Sequence, residues 1–453
     1  MAKKLFGTDG IRGNANIFPM TPDIVLKVGQ ALGHLLRGKS KPGAKTMVLI
    51  GKDTRLSGYM VEQALASGLN SMGVAVQLTG PLPTPGIGFL ARNMRADAGV
   101  IISASHNPYH DNGIKIFGAD GFKIPDSMER EIERIVEEVD ISKLLPKNEG
   151  IGRSRRIDDA AGRYIVYAKN SFPLHLSLEG MRIVVDCANG AGYKVAPAIF
   201  SELGADLVVI GNEPDGYNIN AKFGALHPEA TVEAVSKYRA DVGIALDGDG
   251  DRVIMVDDKG EIVNGDHILA ICAIHLSKNK QLPQNTIVAT HMSNIGLDQA
   301  MKKHGIYVVR TDVGDKNVVE AMRRQGYSLG GEQSGHIIHL GQSTTGDGCV
   351  AALNVLAVMK SEGKKLSELK NTMEEMPQVL INTRVAKRKE LSTIPGYQKV
   401  IDGIEAKLKG EGRLLVRFSG TEPLVRVLVE GRDRIEIGKM AEEISKFLQA
   451  ELS

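Results

Sequence analysis

Three aspartates at alternate positions, Asp247, Asp249 and Asp251, are spaced by Gly248 and Gly250 and followed by Arg252. They close an apolar run, Val242-Gly243-Ile244-Ala245-Leu246. Three carboxylates so close together repel one another unless a cation joins them, and hard oxygen ligands suit Mg²⁺. An EF-hand is the natural rival. It fails because Arg252 stands where that loop needs Gly, and Asp258 where it needs Glu. A solvated acidic turn would explain the glycines but not why three acids follow a buried-looking strand.

A second apolar run, Gly99-Val100-Ile101-Ile102, ends in Ser103-Ala104-Ser105-His106-Asn107-Pro108. Catalytic residues favour the carboxyl ends of strands in open α/β sheets, which makes Ser105 a candidate nucleophile. Taken alone, the segment reads equally well as a polar turn. The Gly-x-Ser-x-Gly elbow of a serine hydrolase is absent. A third segment, Gly330-Gly331-Glu332-Gln333-Ser334-Gly335-His336, offers a carboxylate, an amide and a hydroxyl to sugar hydroxyls. A glycine-rich hairpin with a capping Glu is an equally good local reading. The fourth, Arg417-Phe418-Ser419-Gly420-Thr421-Glu422-Pro423 with Arg426 beyond it, combines two guanidinium groups with hydroxyls and backbone amides. That set matches a dianionic phosphate, and no Gly-Lys-Ser/Thr ending marks a Walker loop.

The elements that must hold these loops alternate between strand and helix patterns. Thr21-Pro22 opens a helix that Gly38 ends, and a further helix is expected over 58–72. Apolar strands are expected at 47–50, 74–76, 99–102, 183–185, 207–210, 242–246 and 286–289, which argues for α/β layers with parallel or mixed sheets. Lys143 to Arg156 reads as a polar linker, and Asp257-Asp258-Lys259-Gly260 as a turn. Near the end the pattern becomes two strands, 413–417 and 424–430, and a helix over 435–448. The expected division is 1–150, 151–257, 258–370 and 371–453: three α/β units and an α+β unit, each carrying one of the four loops.

The chain has 453 residues, too many for one core. Its 56 basic and 54 acidic side chains give a net charge of +2, which argues against a general nucleic-acid binder. The cysteines, Cys187, Cys272 and Cys349, have no paired spacing, so neither a zinc site nor a disulfide framework follows. No apolar signal core and no run near the roughly 20 apolar residues of a membrane span are present, so no membrane partner and a cytoplasmic location are expected.

Together and in this order, the loops resemble those of the α-D-phosphohexomutase superfamily: phosphoserine, metal, sugar and phosphate loops. Gly7-Thr8-Asp9-Gly10-Ile11-Arg12-Gly13, Gly51-Lys52-Asp53-Thr54-Arg55 and Asp111-Asn112-Gly113-Ile114-Lys115 also look familial. Three details point to the branch acting on glucosamine phosphates. They are Gln333 within Glu332-Gln333-Ser334, Gly420 after Ser419, and Val313-Gly314-Asp315-Lys316-Asn317. The phosphomannomutase/phosphoglucomutase branch has Met and Asn at the first two places and tends to carry a His in the third.

The resemblance implies three related α/β domains with mixed sheets and a C-terminal domain of TATA-binding-protein-like fold around a central cleft. It implies interconversion of glucosamine 6-phosphate and glucosamine 1-phosphate through phosphate on Ser105 and a glucosamine 1,6-bisphosphate intermediate that also serves as activator. One Mg²⁺ per chain would sit on Asp247, Asp249 and Asp251 with Ser105, and Arg12 and Arg252 would add positive charge. Lys115 is the first choice for general base and His336 the alternative; Lys115 could serve if burial or cationic neighbours lowered its pKa. Glu332 and Ser334 would hold ring hydroxyls, while Arg417, Ser419, Gly420, Thr421 and Arg426 would hold the substrate phosphate. Glu422 would either meet the sugar amine or cap its own loop. A phosphomannomutase/phosphoglucomutase is the nearest alternative, and a metal-dependent phosphatase using Ser105 is a more distant one. The phosphosugar is the expected partner; the sequence leaves a homodimer open.

Overall fold

The computed structural model describes residues 5–7, 9–39, 45–147, 150–387, 389–408, 411–418 and 424–452. Its first sheet contains β1 (Phe6–Gly7), β2 (Gly10–Asn14), β3 (Met47–Lys52), β4 (Ala75–Pro81), β5 (Ala98–Ile102), β6 (Asp111–Gly118) and β7 (Ser154–Arg156), in the order β1-β2-β6-β5-β3-β4-β7. Helices α1 (Pro22–Lys39), α2 (Ser57–Ser71), α3 (Thr84–Asn93) and α4 (Asp126–Glu138) connect these strands. The second sheet, ordered β12-β11-β10-β8-β9, is made of β8 (Arg182–Asp186), β9 (Asp206–Ile210), β10 (Val242–Leu246), β11 (Val253–Val256) and β12 (Ile262–Val263). Helices α5 (Ala160–Lys169), α6 (Val195–Ser201) and α7 (Glu229–Tyr238) belong to this stretch.

The third sheet holds β13 (Thr286–Thr290), β14 (Tyr307–Thr311), β15 (Leu329–Gly331) and β16 (Ile337–His339), ordered β14-β13-β15-β16. Around it lie α8 (Gly265–Lys278), α9 (Ile295–Lys303), α10 (Asp315–Gln325), α11 (Gly348–Glu362) and α12 (Leu366–Lys370). The fourth sheet, β17 (Gln378–Arg384), β18 (Arg413–Phe418) and β19 (Leu424–Glu430), is antiparallel with β19 central, and α13 (Tyr397–Leu408) and α14 (Arg434–Leu452) cover it.

One strand pattern repeats three times. In β3-β4-β5-β6, β8-β9-β10-β11 and β13-β14-β15-β16, the first three strands run parallel with the first in the middle. The fourth returns antiparallel beside the third. The turn between third and fourth strands therefore recurs at one place in each unit. Those turns carry Ser105, the three aspartates, and Glu332 to His336 respectively. The three related α/β units and the smaller C-terminal α+β unit are the architecture the sequence predicts.

The sheet edges fall differently from the expected boundaries. β7 pairs parallel with β4, so the first sheet runs past residue 150 and the polar segment supplies its edge strand. β12 pairs with β11, so 257–260 is a hairpin turn inside the second sheet. β17 has no counterpart in the sequence reading. Its pattern is only half buried, and what defines it is seven pairs with β19, some 45 residues on.

A continuous apolar seam joins the three α/β units: Leu49, Ile87 and Ile101 of the first, Ile183 and Leu246 of the second, and Ile271 and Leu353 of the third belong to one buried cluster. Helices α8 and α11 are buried over most of their length, so neither shows the polar face of a surface helix. The C-terminal unit has its own core and docks on the third through Arg413, which donates to the Ser293 carbonyl at 2.8 Å and pairs with the fully buried Glu430. Among the described residues no helix is long and apolar enough to cross a membrane.

Candidate active site

Ser105 leaves the end of β5 with a φ of +51°, in the left-handed region that a non-glycine residue rarely occupies. Its surroundings fix that conformation. The backbone N–H donates to Ser103 Oγ at 2.9 Å, and the carbonyl accepts from Arg55 Nη2 at 3.1 Å and Asn220 Nδ2 at 2.9 Å. Arg55 is itself fully buried and held by Asp53. The metal-type loop comes so near that a Cβ on Gly248 would lie 2.7 Å from the Ser105 carbonyl oxygen. Only glycine allows that approach.

This packing brings the Ser105 hydroxyl, though almost wholly buried, to 2.7 Å from Asp247 Oδ2, to which it donates. Carboxylate oxygens of Asp247, Asp249 and Asp251 lie within 4.8 Å of one another. All three side chains are buried. The turn is pinned through Asp247 Oδ1, which accepts the Arg252 N–H at 3.1 Å, and Asp249 Oδ2, which accepts from Thr84 Oγ1 at 2.6 Å. Asp249 Oδ1 and Asp251 Oδ1 are buried without any hydrogen-bond partner. Buried carboxylates clustered this tightly, with oxygens that no hydrogen bond satisfies, are what a divalent cation would neutralise. Burial first, then the charges of Asp251 and Asp249, push the Asp247 carboxyl well above the usual carboxylate range.

Positive groups surround the same centre. Lys115 on β6 is buried, 3.3 Å from Asp249 Oδ2, 3.2 Å from Asp251 Oδ2 and 3.4 Å from Asp9 Oδ2. Burial works against its charge, but Asp249, Asp9 and Asp251 outweigh that and raise its pKa well above the ordinary value. The lowering expected of a general base is therefore absent here: in this arrangement Lys115 is a held cation. Arg12 on β2 pairs with Asp9 and reaches the Ala104 carbonyl at 3.4 Å. The Nε atoms of Arg12 and Arg252 are buried without a hydrogen bond, the latter 3.9 Å from Asp251 Oδ1. Burial and these two arginines lower the His106 pKa to about 4.

His336 reaches the centre from the third unit, with Nδ1 3.6 Å from Asp251 Oδ1. Burial opposes its protonation, and the Asp251 and Asp315 carboxylates raise its pKa on balance. Its Nε2 accepts the Gly346 N–H at 3.1 Å, a contact the imidazolium would give up. Glu332 Oε1 accepts the Gly314 N–H at 3.0 Å, and Ser334 Oγ donates to Oε2 at 3.4 Å. Glu332 thus ties its own loop to the turn before α10, as the capping alternative has it, while Ser334 is exposed. On the fourth unit Arg417 and Arg426 face each other across β18 and β19. Burial and the neighbouring Arg426 lower the Arg417 pKa. Ser419, Gly420, Thr421 and Glu422 lie outside the described residues.

The structure brings Ser105, Lys115, Arg12, Arg252 and His336 around the three aspartates, and further residues that were assigned no role in the sequence reading hold that arrangement. Thr84, Asn220 and Lys123 reach it from distant loops with no local spacing to mark them, and Asp9 and Asp315, singled out in the sequence only as members of their segments, carry contacts that the segments do not announce. Asp53 and Asp186 show the one recoverable signal. Each directly follows or ends an apolar strand and accepts the N–H two residues on at 2.9 Å, the turn made by a short acidic side chain.

Four models of phosphoglucomutase/phosphomannomutase domains match the chain in order: α/β/α domain I over 3–143, domain II over 163–260, domain III over 264–376, and the C-terminal domain over 380–447. A phosphoglucosamine mutase of Bdellovibrio bacteriovorus is 64% identical over 452 residues, covering 99% of both chains. Among solved structures, a phosphoglucomutase/phosphomannomutase family protein of Burkholderia thailandensis superposes with a TM-score of 0.79 at 24% identity, covering 99% of this chain and 97% of its own. An N-acetylphosphoglucosamine mutase of Aspergillus fumigatus, in complex with GlcNAc-6P and magnesium, gives 0.68 at 19% over 99% and 96%. At those identities the two structures speak to the fold.

Proposed function

This chain belongs to the phosphoglucomutase/phosphomannomutase family, and we propose that it is an isomerase interconverting glucosamine 6-phosphate and glucosamine 1-phosphate through phosphate carried on Ser105. The observation that carries the mechanism is the Ser105 hydroxyl 2.7 Å from Asp247, amid buried atoms of both signs that no hydrogen bond satisfies. Asp249 Oδ1 and Asp251 Oδ1 offer lone pairs to a cation, and Arg12 Nε and Arg252 Nε offer hydrogen bonds to an anion. A phosphoserine with its counter-ion would use all four.

Phosphoryl transfer asks for alignment and charge neutralisation more than for covalent chemistry by the protein. Bound Mg²⁺ would neutralise phosphate oxygens as the bond breaks. Asp247, Asp249 and Asp251 would hold it, with Ser105. Arg12 and Arg252 take the remaining phosphate charge. The free hydroxyl of the sugar attacks phosphorus, the P–O bond to Ser105 breaks, the hydroxyl proton passes to a base, and a proton returned to Ser105 Oγ restores the serine hydroxyl. Lys115 is the first candidate once the cation competes for its carboxylates, and His336 is the second.

Arg417, Arg426, Ser419, Gly420 and Thr421 anchor the phosphate already on the sugar, while Glu332 and Ser334 meet ring hydroxyls. The glucosamine 1,6-bisphosphate so formed turns over and returns its other phosphate to Ser105, so one anchor must serve both ends. The fourth unit hinges to allow it. Glu422 either meets the sugar amine or caps its loop. A separate anchor argues against a phosphatase, which needs no second phosphate site.

The test is to incubate the purified protein with Mg²⁺, a trace of hexose bisphosphate and each hexose phosphate in turn. Rapid equilibration of the glucosamine phosphates is expected. Preference for mannose or glucose phosphates would move the chain to the other branch, and release of inorganic phosphate alone would make it a phosphatase.

A further inference from the structure

The charged groups around the centre close into a ring that the mechanism above does not use in full. Lys115 lies against Asp251 and Asp9. Asp9 pairs with Lys123, and Lys123 Nζ is 2.5 Å from Asp315 Oδ2. That same oxygen is 3.7 Å from His336 Nε2, and His336 Nδ1 is 3.6 Å from Asp251 Oδ1. Signs alternate around the ring wherever His336 is counted as the positive partner. Lys123 comes from the turn after β6 in the first unit, and Asp315 opens α10 in the third. Their contact therefore joins the unit that carries Ser105 to the one that carries His336.

We propose that Lys123 and Asp315 are positioning residues for phosphoryl transfer, a strut between the first and third units that sets Lys115 and His336 against the aspartate loop. The inference rests on the mutase reading of that centre. Lys123 is the common counter-ion of two carboxylates from different units, each of which touches one of the two candidate bases. Without it, Asp9 and Asp315 face each other as like charges across a largely buried gap, and both lose the geometry they impose. The side chains of Lys123 and Asp315 are 15% and 14% exposed, on the wall of a cavity of about 1080 Å³, so solvent would compensate the lost charge only in part. Neighbouring pairs reinforce the same interface: Lys316 with Asp126, and Arg323 stacked 3.9 Å over the Phe122 ring. These lie further out on the surface and touch neither candidate base.

The strut stands outside the phosphate and sugar loops, so its loss should lower kcat and leave KM nearly unchanged. The experiment measures kcat, KM and thermal midpoint for wild type, Lys123→Met, Lys123→Arg, Asp315→Asn and the double variant Lys123→Met/Asp315→Asn. Lys123→Met is expected to lower kcat at least tenfold with KM within threefold, and Lys123→Arg to recover most of it. The double variant should lose less than the product of the two single losses, because Asp315→Asn removes the repulsion that Lys123→Met exposes. A wild-type kcat in Lys123→Met would overturn the strut. So would equal losses in Lys123→Met and Lys123→Arg that track the thermal midpoint. If Lys123→Met does not fold, Asp315→Asn decides alone: kcat within twofold of wild type overturns the proposal. Failure of the wild type itself to convert any hexose phosphate would sink the mutase reading instead.

Discussion

Around Ser105 the cations Lys115 and Arg12 are pressed against carboxylates, the serine turn is locked by bonds from Arg55 and Asn220, and the aspartate turn by one from Thr84. On β18 and β19, by contrast, Arg417 is set opposite another guanidinium, Arg426. The first region is organised before substrate arrives. The second sets two guanidinium groups opposite each other in adjacent strands, where the proposed function places the substrate phosphate, and it sits on a unit with its own core. Preorganised dipoles act on the transition state, whereas groups that would hold the substrate's own phosphate act on binding. Substitutions in the two regions should therefore separate into effects on kcat and effects on KM.

The largest expected effect is that of Ser105→Ala, which removes the atom that would carry the phosphoryl group. Mutase activity should fall by about 10⁴-fold or more with little change in thermal midpoint. Retention of near-wild-type turnover would erase the distinction between the two regions.

Replacing Asp249 or Asp251 by Asn comes next. Each change removes a charge and converts an oxygen that now lacks a partner. Calorimetric titration should find weaker Mg²⁺ binding, and kcat should fall with it by about 10²-fold. Unchanged metal affinity in both variants would move the cation elsewhere.

Arg417→Ala should act on the other side of the comparison, raising KM for the sugar phosphate by about 10- to 100-fold, as loss of a charge-assisted hydrogen bond of about 1.5–3 kcal/mol implies. Steady-state kinetics at saturating substrate should then recover most of kcat. A drop confined to kcat would make Arg417 part of the centre.

The smallest effect is on stability. Asp347 accepts the Tyr164 hydroxyl at 2.9 Å and the Val350 N–H at 3.1 Å, and burial raises its pKa to about 6. The folded value lies above the unfolded one, so the folded state binds the proton more readily. Its contribution is most favourable below the unfolded value and is lost as pH rises through about 6. Relative to Asp347→Asn, wild type should gain about 1–3 kcal/mol between pH 7 and pH 4 in denaturant melts. Parallel pH profiles would show that Asp347 does not titrate there.

The two regions also differ in how legible they were. The alternation of apolar runs and turns gave the α/β units, because parallel strands buried on both faces read as continuous apolar stretches. Asp247, Asp249 and Asp251 stood out because their spacing is itself the chemistry. Lys123 did not, and Asp315 stood out only as part of its segment and not for its contact, since a lone lysine in a turn and an acid at a helix start have ordinary local explanations and meet only through the fold. β7 and β17 escaped for the same reason. An edge strand needs a partner more than a pattern, and β7 is exposed at all three residues.

Following the phosphoryl group itself tests the account most directly. The protein is labelled with ³²P on Ser105 and mixed in a single turnover with excess glucosamine 6-phosphate and Mg²⁺. Label is expected to leave Ser105 within one turnover and to appear in the sugar 1,6-bisphosphate and then the 1-phosphate, with loss from the protein matching gain by the sugar. Label that stays on the protein while product forms, or that leaves only as inorganic phosphate, would contradict it.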